Sequence, residues 1–212
     1  MSDIVLLAAS GLAREVASAQ LSGIQINGIL DDNVELHGTE CAGLPVLGSL
    51  ERVRDLDAQF VLCMGNGRAR RETLARLARI GLDERHFARV IDDSVRIPPR
   101  CSVGAGSIVL AGSVLTASVQ VGRHVVIMPN VTLTHDNVID DFVTVAAGVS
   151  LGGAVHVQEA AYLGMNSSVR QGLTVGREAV VGMGAAVLTS VPEGEVWLGV
   201  PARAMATKGE HQ

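Results

Sequence analysis

Between Ile97 and Val187 an aliphatic side chain stands at every sixth position: Ile97, Val103, Val109, Leu115, Val121, Ile127, Leu133, Ile139, Val145, Leu151, Val157, Leu163, Val169, Val175, Val181 and Val187. Small or aliphatic residues lie two positions earlier, among them Val95, Cys101, Ser107, Val119, Val125, Val131, Val143, Val149, Val155 and Ala161. Glycine follows the aliphatic position at Gly104, Gly122, Gly152, Gly164, Gly176 and Gly182, where a turn can need a positive φ. A period of six is neither helical nor a plain two-residue alternation. It describes a short strand and a turn, repeated, and three such steps close a triangular coil of about 18 residues whose faces stack at ~4.8 Å. The 91 residues from Ile97 to Val187 amount to about five coils, which Pro192 is expected to end, leaving a short tail from Trp197 to Arg203.

Residues 1–93 carry a different pattern. Ile4–Ala9 reads as a buried strand, Leu12–Leu21 as a helix, Ile26–Leu30 and Phe60–Met64 as strands, and Arg68–Ile80 as a helix stopped by Gly81. Strand and helix alternate, so a small Rossmann-like parallel α/β unit is expected over 1–93, followed by the coils over 94–212. Ligands of such sheets sit at the carboxyl ends of the strands, which places Ser10 and Gly11, Asp31 and Asp32, and Gly65 and Asn66 around one crevice. The dinucleotide fingerprint is incomplete, because alanine stands at Ala8 and Ala13 where its first and third glycines would fall.

Composition narrows the chemistry. The chain has 212 residues, a formal charge of −5 and only 18% charged residues, so it offers no basic field for nucleic acid or anionic lipid. Its apolar runs are far shorter than the ~20 residues of a membrane span, and Met1-Ser2-Asp3 lacks the positive region of a secretory signal. Three cysteines, Cys41, Cys63 and Cys101, with no C-x-x-C spacing, fit a reducing compartment, so a cytoplasmic location is expected. Aromatic residues make up 2%, which leaves aliphatic side chains to fill the thin interior of the coils.

The six-residue repeat resembles the hexapeptide repeat of the left-handed parallel β-helix; the left hand comes from the resemblance, since parallel crossovers are otherwise right-handed. Taken with Arg14-Glu15-Val16 beyond the Ser10-Gly11 turn, Gly43 to Gly48, Gly65-Asn66 with Arg70, His135-Asp136 and Gly199 to Arg203, the chain resembles bacterial sugar O- or N-acetyltransferases of the sialic-acid and bacillosamine type. The resemblance implies a homotrimer, acetyl-CoA as donor and a nucleotide-linked sugar as acceptor. It also implies coenzyme contacts at Gly153, Gly164, Gly182 and Arg203. Two positions depart from it: Thr144 stands where many members carry a second histidine, and Met128 where asparagine is usual.

Of the three histidines in the coils, His124 and His156 read as solvated surface residues. His135 interrupts the aliphatic run inside the polar stretch Thr132 to Asn137 and falls two residues past the inward Leu133, near a corner. An amine or hydroxyl attacking a thioester must lose a proton, which imidazole, with a pKa of ~6.5, accepts near neutral pH. Asp136 is placed to orient that ring. Gly153, 18 residues beyond His135, offers a backbone N–H for the developing oxyanion. No metal is expected. Two other classes use such coils: γ-type carbonic anhydrases, whose histidine spacing this chain lacks, and non-catalytic scaffolds. Outward Val114, Val126, Val138 and Val180 are the expected subunit contacts.

Overall fold

The computed structural model describes residues 2–205. Strand β1 (Ser2–Leu7) leads through a turn capped by Ser10 into helix α1 (Gly11–Ser18), and β2 (Ile24–Leu30) follows. A short antiparallel pair, β3 (Glu40–Cys41) and β4 (Leu44–Gly48), precedes β5 (Gln59–Leu62) and helix α2 (Gly67–Ala78). The sheet order is β3-β4-β2-β1-β5, with β4, β2, β1 and β5 parallel. Ile4, Leu6, Leu7, Leu30, Val61 and Leu62 are fully buried between the two helical sides, as their unbroken apolar runs require of a parallel sheet. The β3-β4 pair is the element that periodicity did not predict; its strands are too short to carry one.

Strand β6 (Val90–Ile91) pairs with Ile108–Val109 and so joins this unit to the coils. From Ser102 the chain winds through two-residue strands that pair at an offset of 18 residues and form three parallel faces. The first face carries Ser102, Gln120, Val138, His156 and Thr174, and the second Ile108, Val126, Thr144, Tyr162 and Val180. The third carries Val114, Thr132, Ser150, Ser168 and Ala186. Fifteen of the sixteen predicted inward positions are buried, and Ile97, at the open end, is partly so.

Two details of the coils differ from the sequence reading. From Ile97 to Val181 the left-handed backbone falls three residues after each inward aliphatic position, for example at Gly106 (φ 69°), His124 (φ 53°), Asp136 (φ 60°) and Phe142 (φ 61°). The glycines one residue after that position serve close approach instead: a Cβ on Gly104 would lie 2.4 Å from the Gly122 carbonyl oxygen, and one on Gly152 2.6 Å from Gln171 N. Nor does Pro192 end the stacking. Val175 faces Val191 and Val180 faces Val196, 16 residues on rather than 18, so the last coil is shortened but still closes, and Arg203–Ala204 folds back on it antiparallel.

The N-terminal unit covers the second face from Ile108 to Thr144, while Tyr162 further along the same face stays exposed. Ile108, Leu110 and Val126 are buried in one cluster with Leu12, Val16, Ala88 and Val90, so Val126 serves this contact within the chain rather than a contact between subunits. Arg70 of α2 is fully buried at the joint: its guanidinium donates to the carbonyl oxygens of Met64 (2.7 Å), His124 (2.8 Å), Phe142 (2.7 Å) and Val143 (3.0 Å). Arg71 adds ion pairs to Glu159 and Glu178 at 2.7 Å each. No helix of the described residues is long and apolar enough to cross a membrane.

This joint also overturns the surface reading of His124. Its ring is fully buried, stacked on Phe142 with Phe87 edge-on, because the segment from Glu84 to Phe87 covers the corner that carries it. Nε2 comes within 3.3 Å of Glu84 Oε2, and neither ring nitrogen completes a hydrogen bond. Burial, with the charges of Arg123 and Arg70, pushes the His124 pKa down to about 4. The ring therefore stays neutral in the fold while the unfolded chain binds a proton below ~6.5, so its contribution is full above that pH and lost as pH falls toward 4, worth up to ~3 kcal/mol. Glu84, raised by its own burial, acts in the opposite sense and trims the slope. His124→Asn keeps a residue that tolerates the left-handed backbone and does not titrate. Urea unfolding between pH 6.5 and 4.5 should therefore show a shallower loss of stability in the variant than in the parent, and parallel curves would contradict this account.

Candidate active site

His135 lies on the corner between the third and first faces, held by main-chain bonds above and below. Asp136 N–H donates to Ala117 O, and Ala154 N–H donates to His135 O, each at 2.9 Å. The buried Asn137 donates to Gly152 O at 2.7 Å and pins the same corner from inside. The imidazole itself is exposed, with Nδ1 2.8 Å from Asp136 Oδ2. A carboxylate can only accept, so Nδ1 carries a proton, and in the neutral ring Nε2 is the nitrogen with a lone pair to offer. The ring lies against Gly153: a Cβ there would come within 2.3 Å of Cε1 and Nε2, so any side chain would push the ring aside. The sequence-predicted trio of His135, Asp136 and Gly153 is thus one cluster.

The other coenzyme candidates lie elsewhere. Gly164 and Gly182 stack on the corner between the second and third faces, where added Cβ atoms would meet Met183 N at 2.6 Å and Leu198 Cδ2 at 2.2 Å. Arg203 is exposed and donates to Ala202 O at 2.8 Å. A groove of 580 Å3 runs along the first face between Gln120, Val138, Asp140, Gln158 and Arg177, and His135 does not line it. There His156 Nε2 is 3.0 Å from Asp140.

The three loops of the N-terminal unit end adjacent parallel strands, β2, β1 and β5, and so come together at one edge of the sheet. Each is tied by its own chain. Ser10 Oγ accepts from Ala13 N–H as the cap of α1 and donates to Cys63 O at 2.5 Å. Asp31 accepts from Ala9 N–H (2.7 Å) and Asn33 N–H (2.8 Å); Asp32 accepts from Leu50 N–H (3.0 Å) and pairs with Arg76 (2.7 Å). Asn66 caps α2 through Ala69 N–H. Ala8 holds φ 92°, a left-handed conformation that glycine would adopt more easily.

Sequence reasoning missed the burial of Arg70 and the role of Thr144, which is also buried and donates to Gly65 O at 2.8 Å. One arginine among Arg68, Arg70 and Arg71 carries no local mark of which will be buried; only the coil packed against α2 decides it.

Residues 3–77 match the family model described as the PglD N-terminal domain. Nearly the whole chain is similar to WeeI from Acinetobacter baumannii, at 30% identity and TM-score 0.83, covering 97% of this chain and 100% of that one. It is also similar, at 25% identity and TM-score 0.85 with 98% of each chain covered, to a mutant of perosamine N-acetyltransferase from Caulobacter crescentus solved in complex with CoA and GDP-perosamine. Gamma carbonic anhydrase 1 of Arabidopsis thaliana is 32% identical over 137 residues, 55% of this chain and 50% of that protein. The chain spans half or less of the length of the curated relatives it matches. The fold is a small Rossmann-like α/β unit followed by a left-handed parallel β-helix.

The hydrogen bonds of Asp31 give a test of its structural share. Replacing it by alanine leaves Ala9 N–H and Asn33 N–H without their acceptor, and Asp31→Ala should lower unfolding free energy by about 1–3 kcal/mol in chemical denaturation. An unchanged midpoint would mean that the turn after β1 does not depend on this carboxylate.

Proposed function

The chain belongs to the bacterial sugar acetyltransferases of the bacillosamine and perosamine type, and on that premise we propose that it moves an acetyl group from acetyl-CoA to an amino or hydroxyl group of a nucleotide-linked sugar. The observation that carries the mechanism is the pair formed by His135 and Asp136, with Nδ1 engaged and Nε2 free against Gly153. The acceptor nitrogen or oxygen attacks the thioester carbonyl while Nε2 takes its proton, and the negative charge gathers on the carbonyl oxygen. The Gly153 N–H stabilises that oxyanion. On collapse the C–S bond breaks, the coenzyme thiolate leaves, and the proton on His135 returns to it. A thioester is already activated, so no covalent enzyme intermediate is needed.

The acceptor nucleotide is assigned to the crevice of Ser10, Gly11, Asp31, Asp32, Gly65 and Asn66. Two helix N-termini converge there and favour phosphate, and each aspartate keeps lone pairs beyond those its own chain uses. The coenzyme is assigned to Gly153, Gly164, Gly182 and Arg203. Gly164 and Gly182 on one corner and His135 on the other flank the same third face, which carries exposed Val114.

Topology supports a homotrimer. The N-terminal unit covers the second face, and His135 sits on the corner opposite that face, so one chain does not bring its own acceptor crevice to its own base. Two copies packed side by side do, and three close a ring. Free Cys41, Cys63 and Cys101 suit the cytoplasm, where nucleotide-linked sugars for glycan assembly would serve as acceptors.

With acetyl-CoA and a panel of nucleotide-linked amino sugars, thiol release should reveal an acceptor, and His135→Ala should lower kcat by ~10²–10⁴-fold while leaving oligomeric state and acetyl-CoA affinity unchanged. A variant that keeps more than half the parent rate would remove His135 from the mechanism. Stoichiometric zinc in the purified protein, without thiol release, would favour a metalloenzyme instead. Light scattering should give a trimer at micromolar concentration; a monomer would contradict the shared site.

A further inference from the structure

Thr144 has two hydrogen bonds that together span the joint between the coils and the acceptor crevice. Its Oγ1 donates to the Gly65 carbonyl at 2.8 Å and accepts from the Arg70 guanidinium at 3.0 Å. Both partners belong to the stretch that leaves β5 and enters α2. The hydroxyl is buried, and Arg70 beside it is fully buried. The helix is seated equally tightly: a Cβ on Gly67 would fall 2.1 Å from the Phe142 carbonyl oxygen, so only glycine lets α2 approach the coil this closely.

We infer that Thr144 is a positioning residue for the acceptor, orienting the Gly65-Asn66 peptide from beneath without touching the substrate. A trans peptide points its C=O and its N–H in opposite directions. When Thr144 draws the Gly65 carbonyl down toward the coils, the Asn66 N–H is turned away from them. It then joins the α2 N-terminus, whose orphan N–H groups the Asn66 side chain satisfies only in part. Those donors face phosphate only while this peptide keeps its orientation. Arg70 cannot supply the same control, because its guanidinium spreads over four carbonyl oxygens and binds Gly65 only through Thr144. Among the described residues the hydroxyl is the side-chain hydrogen bond to the Gly65 carbonyl.

This inference rests on the reading that the crevice holds a nucleotide, and the test separates the two. UDP and GDP are titrated by calorimetry into the whole protein as the parent, Thr144→Ser, Thr144→Cys and Thr144→Val, with CoA titrated into each as the control. Valine keeps the shape and removes the donor, serine keeps the donor, and cysteine has a weaker one. The nucleoside diphosphate that binds the parent should bind Thr144→Val about tenfold more weakly and Thr144→Ser within about twofold, with Thr144→Cys between them and CoA affinity constant throughout. The serine and cysteine variants keep the series decisive if the valine variant does not fold. Equal nucleotide affinity in parent, cysteine and valine variants would overturn the positioning role while leaving the crevice assignment standing. So would a parallel loss of CoA affinity, or a serine variant as weak as the cysteine variant. Binding of neither nucleotide to the parent would overturn the crevice assignment, and the inference with it.

Discussion

The packing of the N-terminal α/β unit on the second face of the β-helix is the constraint from which the rest of the arrangement follows. Ile108, Leu110 and Val126 would form an exposed apolar patch on a bare prism; instead they share a core with Leu12, Val16 and Val90. Arg70 locks that contact by donating to carbonyl oxygens on both sides of it. A buried guanidinium is tolerable only because its donors are so fully used, and burial still lowers its pKa to about 10. Once this face is taken, the proposed acceptor crevice and His135 lie on opposite sides of one chain. Under the proposed function, completion of the site then falls to a second copy.

The coils were legible because their physics is local. A six-residue step leaves no choice about which side chains point inward, and from Val103 to Val187 every one of those positions is buried. The turns were less legible. Glycine at Gly104 or Gly152 looked like a demand for positive φ, but the demand is for room beneath the next coil, while the left-handed position is filled by other residues, such as His124, Asp136 or Phe142, more often than by glycine. Glycine serves either need, so its presence in the sequence does not tell them apart.

Within the site, legibility followed the same division. His135 and Asp136 stood out because they broke a regular pattern, and their neighbourhood with Gly153 follows directly from the 18-residue offset. Asp31 and Asp32 stood out because they end a parallel strand where ligands of such sheets sit, yet their carboxylates also fasten Ala9, Asn33 and Leu50. His124, Arg70 and Thr144 were misread or missed. Each is decided by contacts between residues 37 to 79 positions apart, between the Glu84–Phe87 segment or the Gly65-to-α2 stretch and one corner of the coils. No window of local sequence contains that information.

The claim on which the account turns is that each site takes its base from one subunit and its acceptor crevice from another. Subunit mixing tests it most directly. One variant is His135→Ala; the other is Gly11→Asp, which places a negative charge at the N-terminus of α1, where an added Cβ meets nothing nearer than the Arg14 guanidinium at 3.8 Å. Each alone should be nearly inactive with the nucleotide-linked acceptor. Co-refolded in equal amounts, they should recover about a quarter of parent turnover, since two kinds of subunit in a ring of three pair an intact base with an intact crevice once per mixed trimer. Mixed trimers, verified by mass, that stay as inactive as either variant would show that each chain completes its own site.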